Sequence, residues 1–448
     1  MNSLVDLQAL ISQPSISANN QGLAECANIL IKIMRKAGIH SSLLYLDKKV
    51  PPLIYGEVKS KKKPTGATIM FYNHYDVQPV EPVSRWNQNP FSGNIKDGKI
   101  FGRGASDDKG ELITRIKAVE YILKEKGDLP CNIKFFIEGE EEIGSPHIKT
   151  YLQELKHNLG CDVIIWEFGY VDSKFRPIIN LGMKGMLYVE VTAFGPLIEL
   201  HSSLAALVKN PAWNIIKVLN SIWDDHYAKI LVKDWYNEVR SLTKEEVSFM
   251  ASQPLFDEVE FKEKYKIKQF LRGVRGNEVK HVLTDMPTCN ISGIVAGYNQ
   301  EGAKTVIPSF ARVKIDFRLV PNMNPKLQFV RLKQHLLTKG FQDIQVKYIH
   351  GVAASRTPFF HPIVKVIKDA AERVFGGRSI INLSSAGSGP MSIMTEAVRA
   401  PCVATGCTSL FANIHSFNEF AKIDLLSKGT KYMIEIIEAV SKYSIPRF

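Results

Sequence analysis

Residues 71–108 read FYNHYDVQPV, then a turn-rich passage, then FGRGASDD, and this stretch decides the fold. Apolar residues at 67–71 lead into it, which predicts a buried strand that delivers His74 and Asp76 at its end. The aspartate pair at 107–108 follows a glycine-rich turn that enters a helix. Because open α/β sheets carry their chemistry at the carboxyl ends of strands, these two polar pairs mark a candidate site.

The HxD pair formed by His74 and Asp76 has a specific chemical use. An imidazole can bind a metal through one ring nitrogen while a nearby carboxylate holds the orientation of the ring. Taken alone, the pair fits equally a histidine that is satisfied at the end of a strand. The rest of the chain therefore decides between the two interpretations.

Two further apolar runs also end in acidic residues. The run NIKFFIE at 132–138 continues into three glutamates at 140–142, and the run DVIIW at 162–166 ends at Glu167. Three predicted core strands thus deliver histidine or carboxylates at their carboxyl ends. This repetition predicts one shared site at the carboxyl edge of a mixed α/β sheet.

The motif GEEEIGS places three carboxylates directly after a core strand. Adjacent like charges are unfavourable unless cations or protons compensate them, and a metal centre supplies that compensation. Two neighbouring glutamates can also divide the work, one binding metal and the other acting as a general base. A solvated acidic turn is the alternative for this motif, and His415, on a loop before the last helix, could by itself be structural.

Composition limits the function classes. The formal charge is +12, but the compact basic run at 59–63 reads as a turn between strands, and elsewhere Lys and Arg alternate with Asp and Glu. Nucleic-acid binding is therefore not expected as the main function. No run approaches the roughly 20 apolar residues of a membrane span, and the opening residues lack a signal-peptide pattern. The six scattered cysteines, without a CxxC pair, fit reduced thiols, so we expect a soluble cytoplasmic protein that binds neither membrane nor nucleic acid.

A chain of 448 residues predicts more than one domain. From Gly185 the pattern becomes strand, helix, strand, strand, helix, strand, the order of a ferredoxin-like βαββαβ unit, interrupted by a charged, largely helical insertion at 224–281. After this unit, helices and short strands follow as in the first part of the chain. We predict an α/β, mixed-sheet catalytic domain in two parts, residues 1–184 and 351–448, with an inserted domain at 185–350.

The motifs HYDVQP, GRGASDDKG, EGEEEIGS and NIHSFNE occur in this order along the chain. Together they resemble the dinuclear-zinc metallopeptidase family of carnosinase-type dipeptidases, glutamate carboxypeptidases, aminoacylases, acetylornithine deacetylase and succinyl-diaminopimelate desuccinylase. The resemblance covers essentially the whole chain. It implies a zinc-exopeptidase catalytic domain with an inserted ferredoxin-like lid and dimerisation domain, through which the chain would form a homodimer.

The resemblance also implies a site for two divalent metal ions. Zinc is expected, with manganese or cobalt as alternatives because metal availability often decides. Asp107 would bridge the two ions, and Asp76 would orient the first histidine. The peptide bond after Asp107 is cis in the family, and Asp108 would not be a ligand. The remaining ligands would be His74 and Glu167 for the first ion, and Glu142 and His415 for the second.

In the mechanism that the resemblance implies, Glu141 is the general base that activates a water bridging the two metals. Glu140 would be a bystander. The water would attack the amide bond of a dipeptide or short peptide, and the base would then pass its proton to the leaving nitrogen.

The inserted region carries further matches. ELHSSLAALVKNPAW resembles the segment whose histidine reaches the partner subunit's active site, so His201 would stabilise the oxyanion, although Ser203 replaces the usual glycine. Thr305 and Arg318 would contact the substrate carboxylate. A surface-paired strand arginine is the alternative for the second of these. The loop SSAGSGPM would receive the same carboxylate through Gly387 and Ser388.

The substrate class has one conflicting signal. The dipeptidase branch usually carries Asp where this chain has Glu167, whereas aminoacylases and carboxypeptidases usually carry Glu. The long insertion and the segment RLVP favour the dipeptidase branch. We therefore predict an exopeptidase of dipeptidase or carboxypeptidase type, with an N-acyl amino acid deacylase as the alternative. A catalytically inactive scaffold protein is disfavoured because every expected ligand and the base are present.

Overall fold

The computed structural model describes residues 3–443 and divides them into two compact units. The first unit runs to Gly182 and includes residues 356–383 and the chain from Pro390 onward. The second unit comprises residues 183–355 and 384–389. None of the described helices is long and apolar enough to cross a membrane.

The helices are named in chain order. They are α1 (Ser3–Ser12), α2 (Leu23–Lys36), α3 (Lys109–Lys126), α4 (Ile148–Glu154), α5 (Pro211–Ile222), α6 (Lys244–Ser252), α7 (Glu258–Tyr265), α8 (Asn277–Asp285), α9 (Pro325–Thr338), α10 (Pro362–Phe375), α11 (Met391–Val398) and α12 (Ile423–Val440).

The strands are named in the same way. They are β1 (His40–Leu44), β2 (Leu53–Val58), β3 (Thr68–His74), β4 (Asn94–Lys96), β5 (Lys99–Phe101), β6 (Asn132–Glu138), β7 (Val163–Trp166), β8 (Tyr170–Val171), β9 (Ile178–Asn180), β10 (Gly182–Met183), β11 (Gly185–Phe194), β12 (Leu200–His201), β13 (Trp223–Asp224), β14 (Lys229–Ile230), β15 (Thr288–Ala296), β16 (Val306–Ile307), β17 (Phe310–Leu319), β18 (Ile344–Val352), β19 (Ser355–Arg356), β20 (Ile380–Asn382), β21 (Cys402–Ala404), β22 (Thr408–Ser409) and β23 (Phe420–Lys422).

The first unit is built on an eight-stranded sheet with the order β1-β2-β6-β3-β7-β21-β9-β20. Strand β3 is parallel to β6 and β7, whereas β2 is antiparallel to β6, so the sheet is mixed as the sequence predicts. All seven residues of β3 are buried, which agrees with the apolar run at 69–71 in its centre. Its last residue, His74, lies opposite Glu138 at the end of β6, so the polar ends of neighbouring strands meet at one edge.

Helix α3 follows the glycine-rich turn directly and packs against α1 and α12. It ends at Gly127, which adopts a left-handed conformation (φ 70°) and donates its N–H to Leu123 O at 3.0 Å. Glycine suits this position because it has no Cβ to clash. Arg115, in the middle of the helix, is buried and donates to the carbonyls of Tyr72 and Trp166. The helix therefore fixes the carboxyl ends of β3 and β7.

The second unit contains an antiparallel four-stranded sheet with the order β15-β17-β11-β18. The chain order is β11, α5, β15, β17, α9, β18, which agrees with the strand and helix pattern predicted for this region. Alternate residues of β11 are buried, and the core they enter includes residues of α5 and α9. The predicted helical insertion is also present, as α6, α7 and α8.

Candidate metal centre

His74 lies between carboxylates on both sides of its ring. Its Nδ1 is 3.3 Å from Asp76 Oδ1, and its Nε2 is 3.1 Å from Asp107 Oδ1 and 3.9 Å from Glu167 Oε2. Burial lowers its pKa, but the contacts with Asp107 and Asp76 outweigh burial and raise the pKa well above its ordinary value. The ring nitrogen that faces away from Asp76 is therefore directed at two carboxylates.

His415 approaches Asp107 from the other side. Its Nε2 is 3.1 Å from both Asp107 Oδ2 and Glu142 Oε2. Burial lowers the pKa of this histidine, but the hydrogen bonds with Asp107 and Glu142 raise it to about 10. The two oxygens of Asp107 thus face two different histidines, and each histidine has a glutamate of its own beside it.

Asp76 has a second contact besides the ring of His74. Its Oδ1 accepts the backbone N–H of Glu141 at 3.1 Å, and its Oδ2 accepts that of Glu142 at 3.0 Å. These two glutamates begin a short 3-10 turn that follows β6. One buried carboxylate therefore positions the histidine of β3 and the acidic turn of β6 relative to each other.

Glu141 lies in this turn next to the cluster. Burial, followed by the negative charge of Glu167, raises the pKa of Glu141 well above its ordinary value. A carboxylate with a raised pKa can hold a proton, as a general base must after it has taken one. Its neighbour Glu140 faces His147, whose Nδ1 is 2.8 Å from Glu140 Oε2.

The donor set fits divalent cations. Among the described residues, Glu142 Oε1 and Glu167 Oε2 are buried oxygen atoms without a hydrogen-bond partner. Ligand atoms of Asp107, Glu142 and His415 lie within 4.8 Å of one another. Imidazole nitrogens and carboxylate oxygens are ligands that zinc and manganese accept, and a cation would neutralise the clustered carboxylates.

Asp108 is hydrogen-bonded to the end of β3. Its Oδ2 accepts the Asn73 side-chain amide at 2.6 Å and the His74 backbone N–H at 3.1 Å. The peptide bond between Asp107 and Asp108 is cis, as the family resemblance implies.

Gln78 is a contact residue that the sequence interpretation missed. Its Nε2 donates to Glu142 Oε2 at 2.9 Å and to the Glu142 carbonyl at 3.2 Å. The only signal was its position inside HYDVQP, four residues after His74. It orients the carboxylate that also contacts His415.

Two candidates of the second unit, His201 and Thr305, contact each other. His201 is exposed, its Nδ1 is 2.8 Å from Ser203 Oγ, and its Nε2 is 3.2 Å from Thr305 Oγ1. The structure thus brings His201 and Thr305 together. The serine in place of the usual glycine contacts the histidine through its N–H as well, at 3.2 Å.

The other candidates of this unit have different partners. Arg318 is part-exposed and pairs with Asp316, Nε to Oδ1, at 3.5 Å. Ser388 Oγ donates to the Gly185 carbonyl at 2.9 Å, and Gly387 N–H donates to Ser385 Oγ at 3.1 Å. The pairing of Arg318 with Asp316 fits the alternative interpretation, and its contact with a substrate carboxylate stays a prediction.

Comparison with known proteins identifies the family. The family model for Peptidase family M20/M25/M40 matches residues 70–439. The chain belongs to this family. The family predicted from the four motifs is therefore confirmed, and so is the α/β mixed-sheet fold of the first unit.

Three similar proteins illustrate the range of this family. The M20 family metallo-carboxypeptidase Sso-CP2 from Sulfolobus solfataricus has a crystal structure that matches with a TM-score of 0.91 and 35% identity, covering 99% of this chain and 100% of that one. Human Beta-Ala-His dipeptidase is 32% identical over 325 residues, 71% of this chain and 62% of that protein. The Cys-Gly metallodipeptidase dug1 of Schizosaccharomyces pombe is 27% identical over 469 residues, 98% of this chain and 95% of that protein. The match thus spans less than two thirds of the human relative's length.

Proposed function

We propose that this M20 family member is a dinuclear metal-dependent exopeptidase that hydrolyses an amide bond in dipeptides or short peptides. The observation that carries the proposal is the placement of Asp107 between His74 and His415, at 3.1 Å from each. A carboxylate whose two oxygens face two histidines is what a metal-bridging ligand requires.

The residues divide into two metal positions that share Asp107. The first position would be held by His74 and Glu167, and the second by Glu142 and His415. When bound, divalent cations lower the pKa of water and polarise the carbonyl of the scissile amide. Zinc suits this nitrogen and oxygen donor set, and manganese or cobalt are alternatives.

Glu141 takes a proton from the attacking water, whose oxygen forms the new bond to the amide carbon. When the carbon–nitrogen bond breaks, Glu141 donates that proton to the leaving nitrogen, so one water is consumed and a carboxylate and an amine are released. The place of Glu141 supports this role, because it begins the turn that also carries the candidate ligand Glu142. Asp76 supports it by holding the backbone of the turn.

The second unit would supply the substrate contacts. His201 would stabilise the oxyanion, and its contact with Thr305 supports a shared site for the two residues. Arg318, Gly387 and Ser388 would receive the substrate carboxylate, for which Arg318 would have to exchange its pairing with Asp316. The strand order of this unit supports a ferredoxin-like domain at residues 185–350. By the family resemblance, this domain would act as a lid and would form a homodimer. A cytoplasmic location stays a prediction.

The similarity to a metallo-carboxypeptidase and to dipeptidases supports an exopeptidase over the alternative, an N-acyl amino acid deacylase. Glu167 fits both a carboxypeptidase and a deacylase, since both usually carry glutamate there. Both reactions cleave an amide next to a free carboxylate. They differ in whether the other side of the substrate carries an α-ammonium group or an acyl group.

The experiment that tests the proposal uses matched substrates. Protein loaded separately with zinc and with manganese is assayed for release of free amino acid from three substrate sets: dipeptides, their N-acetylated or N-succinylated counterparts, and N-acyl amino acids. Cleavage of free dipeptides alone supports a dipeptidase, and cleavage of blocked peptides at the carboxyl end supports a carboxypeptidase. Release only from N-acyl amino acids would establish the deacylase instead, and no release with metal bound would contradict an enzymatic function.

A further inference from the structure

Glu419 lies four residues after His415 and is fully buried, yet the proposed chemistry does not use it. Its Oε2 accepts Arg103 Nη1 at 2.8 Å and the Gly104 N–H at 3.2 Å. Its Oε1 accepts the N–H groups of Ser106 at 3.0 Å and Asp107 at 3.1 Å. All four donors belong to the glycine-rich turn that ends in the candidate bridging ligand.

The backbone around Glu419 follows the same turn. The Gly102 N–H donates to the Glu419 carbonyl at 3.0 Å, and Ser106 Oγ donates to the Phe420 carbonyl at 2.8 Å. Strand β23 pairs antiparallel with β5, with Phe420 opposite Phe101. The side chain of Glu419 and the main chain beside it therefore hold β23 against the glycine-rich turn and β5 over several residues.

Arg103 is held independently of its contact with Glu419. Its Nη2 donates to the Pro79 carbonyl at 3.1 Å, and its guanidinium lies 5.3 Å from the centre of the Trp86 ring. Arg103 and Glu419 form a buried ion pair. Removing one partner of such a pair leaves the other charge buried and unpaired, so the pair resists rearrangement.

The loop that carries His415 needs such an anchor. Asn413, His415 and Asn418 have positive φ angles of 58°, 57° and 57°. Asparagine and histidine adopt this left-handed conformation more readily than most residues other than glycine, but three such residues within six positions still require surroundings that fix the loop. The Phe420 N–H closes the loop on the Ala412 carbonyl at 3.1 Å, so the loop ends directly at the anchored segment.

We infer that Glu419 is a positioning residue that sets the position of Asp107 relative to His415. The inference rests on the proposed dinuclear function and assigns Glu419 to its second metal position. Asp107 is held through its N–H, and His415 through the loop that ends beside Glu419. His74 and Glu167 are delivered by β3 and β7, whereas the hydrogen bonds of Glu419 reach the glycine-rich turn. Asp107 is shared by both positions, but His415 belongs to the second alone, so loss of Glu419 weakens the second position more than the first.

The variant that tests the inference is Glu419→Gln. Glutamine keeps the side-chain volume, but one end becomes an NH₂ group that faces two N–H donors. Calorimetric titration of metal-free protein with Zn²⁺ and Co²⁺ should give two sites in the unmodified chain. In the variant the second site should weaken by about 10- to 100-fold, the usual cost of losing a residue that supports a ligand. The first site should change far less, and the Co²⁺ absorption spectrum should lose the component of the second site.

A matched control separates positioning from general stability. Glu111 is also a fully buried carboxylate, and it accepts the N–H groups of Cys407 at 2.6 Å and Thr408 at 2.9 Å. Glu111→Gln should lower the unfolding temperature while both metal sites keep their affinity. A second variant, Ser106→Ala, removes the hydrogen bond from Ser106 Oγ to the Phe420 carbonyl and should weaken the second site several-fold. This variant should disturb folding less than Glu419→Gln, because it removes one hydrogen bond and leaves no charge unpaired.

The outcomes distinguish the inference from the function on which it rests. If the unmodified chain binds fewer than two ions, the dinuclear function fails and the inference fails with it. If the unmodified chain binds two ions but Glu419→Gln binds both with unchanged affinity, or weakens both equally, the inference alone is wrong. It is also wrong if Glu111→Gln loses the second site selectively.

Discussion

The histidines of the two units, His74 in the first and His201 in the second, differ in how their side chains are held. His74 is 1% exposed, and carboxylates contact it on both ring nitrogens. His201 is exposed, and its ring contacts two hydroxyl groups on its own unit. A buried ring with fixed partners is pre-organised before any ligand binds, whereas an exposed ring acquires a fixed geometry when substrate or another surface covers it. The metal ligand His74 is therefore expected to be set by the fold itself, and the oxyanion contact of His201 to be completed on binding.

The largest effect is expected from Asp107→Asn, which changes the buried ligand cluster of the first unit. The neutral amide removes the negative charge that faces both His74 and His415. Both metal positions should be lost, and amino acid release should fall to background. Metal content after dialysis, measured by mass spectrometry, checks this result. Asp108→Asn is the matched control and should keep both ions; two ions in Asp107→Asn would contradict the bridging role.

The next largest effect is expected from Glu141→Gln. The amide cannot take a proton from water, so kcat should fall by about 10²- to 10⁴-fold while metal content is unchanged. Glu140→Gln changes the adjacent carboxylate, which contacts His147, and should keep kcat within a few-fold. Steady-state kinetics on both variants separates the two glutamates. Equal losses in both variants would mean that the turn as a whole, and not Glu141, supports turnover.

His201→Asn tests the role of the exposed histidine of the second unit. If the exposed ring stabilises the oxyanion, kcat should fall by about 10²-fold, with KM and metal content little changed. His226, another exposed histidine of the second unit, gives the control variant His226→Asn, which should have normal kinetics. An unchanged kcat in His201→Asn would remove this residue from the mechanism.

The smallest effect is expected from Glu138, a buried carboxyl group that lies opposite His74 at the end of β6. Tyr72 Oη and Ser145 Oγ donate to its carboxyl at 2.5 and 2.9 Å, and burial raises its pKa from 4.5 to about 8. The native state therefore keeps a proton that the unfolded chain has released. The stability contributed by this proton is full below pH 4.5 and is lost as the pH rises through about 8.

Glu138→Gln removes this dependence. Between about pH 5 and pH 8, the unfolding free energy of the metal-free protein should fall more in the unmodified chain than in the variant. The difference should be at least about 1 kcal/mol, because one unit of pKa shift corresponds to about 1.4 kcal/mol. Urea unfolding at several pH values checks it. Parallel loss of stability in the two proteins would contradict a raised pKa at Glu138.

The sequence predicts those residues of the site that lie at the ends of core strands. The apolar runs before His74 and Glu167, and before the acidic turn, identify three strands, and their register brings their carboxyl ends to one edge. The motifs then assign ligand identities through family resemblance. These features are local in sequence, so periodicity and turn residues are sufficient to locate them.

The supporting contacts could not be predicted in this way. Glu419 and Asp107 are 312 residues apart, and the hydrogen bond between them depends on the pairing of β23 with β5. Arg115 reads as an ordinary residue of an amphipathic helix, yet it is buried and bonded to strand carbonyls. Such partners are set by tertiary packing, which leaves no periodic pattern. The pairing of Arg318 with Asp316 likewise depends on the neighbouring strand surroundings, and a contact with substrate stays a prediction.

The most direct test of the central claim is anomalous diffraction at the zinc absorption edge from crystals of the zinc-loaded protein. A dinuclear centre predicts two anomalous peaks, one beside His74 and Glu167 and the other beside Glu142 and His415, with Asp107 between them. A single peak, or peaks away from these side chains, would contradict the dinuclear centre.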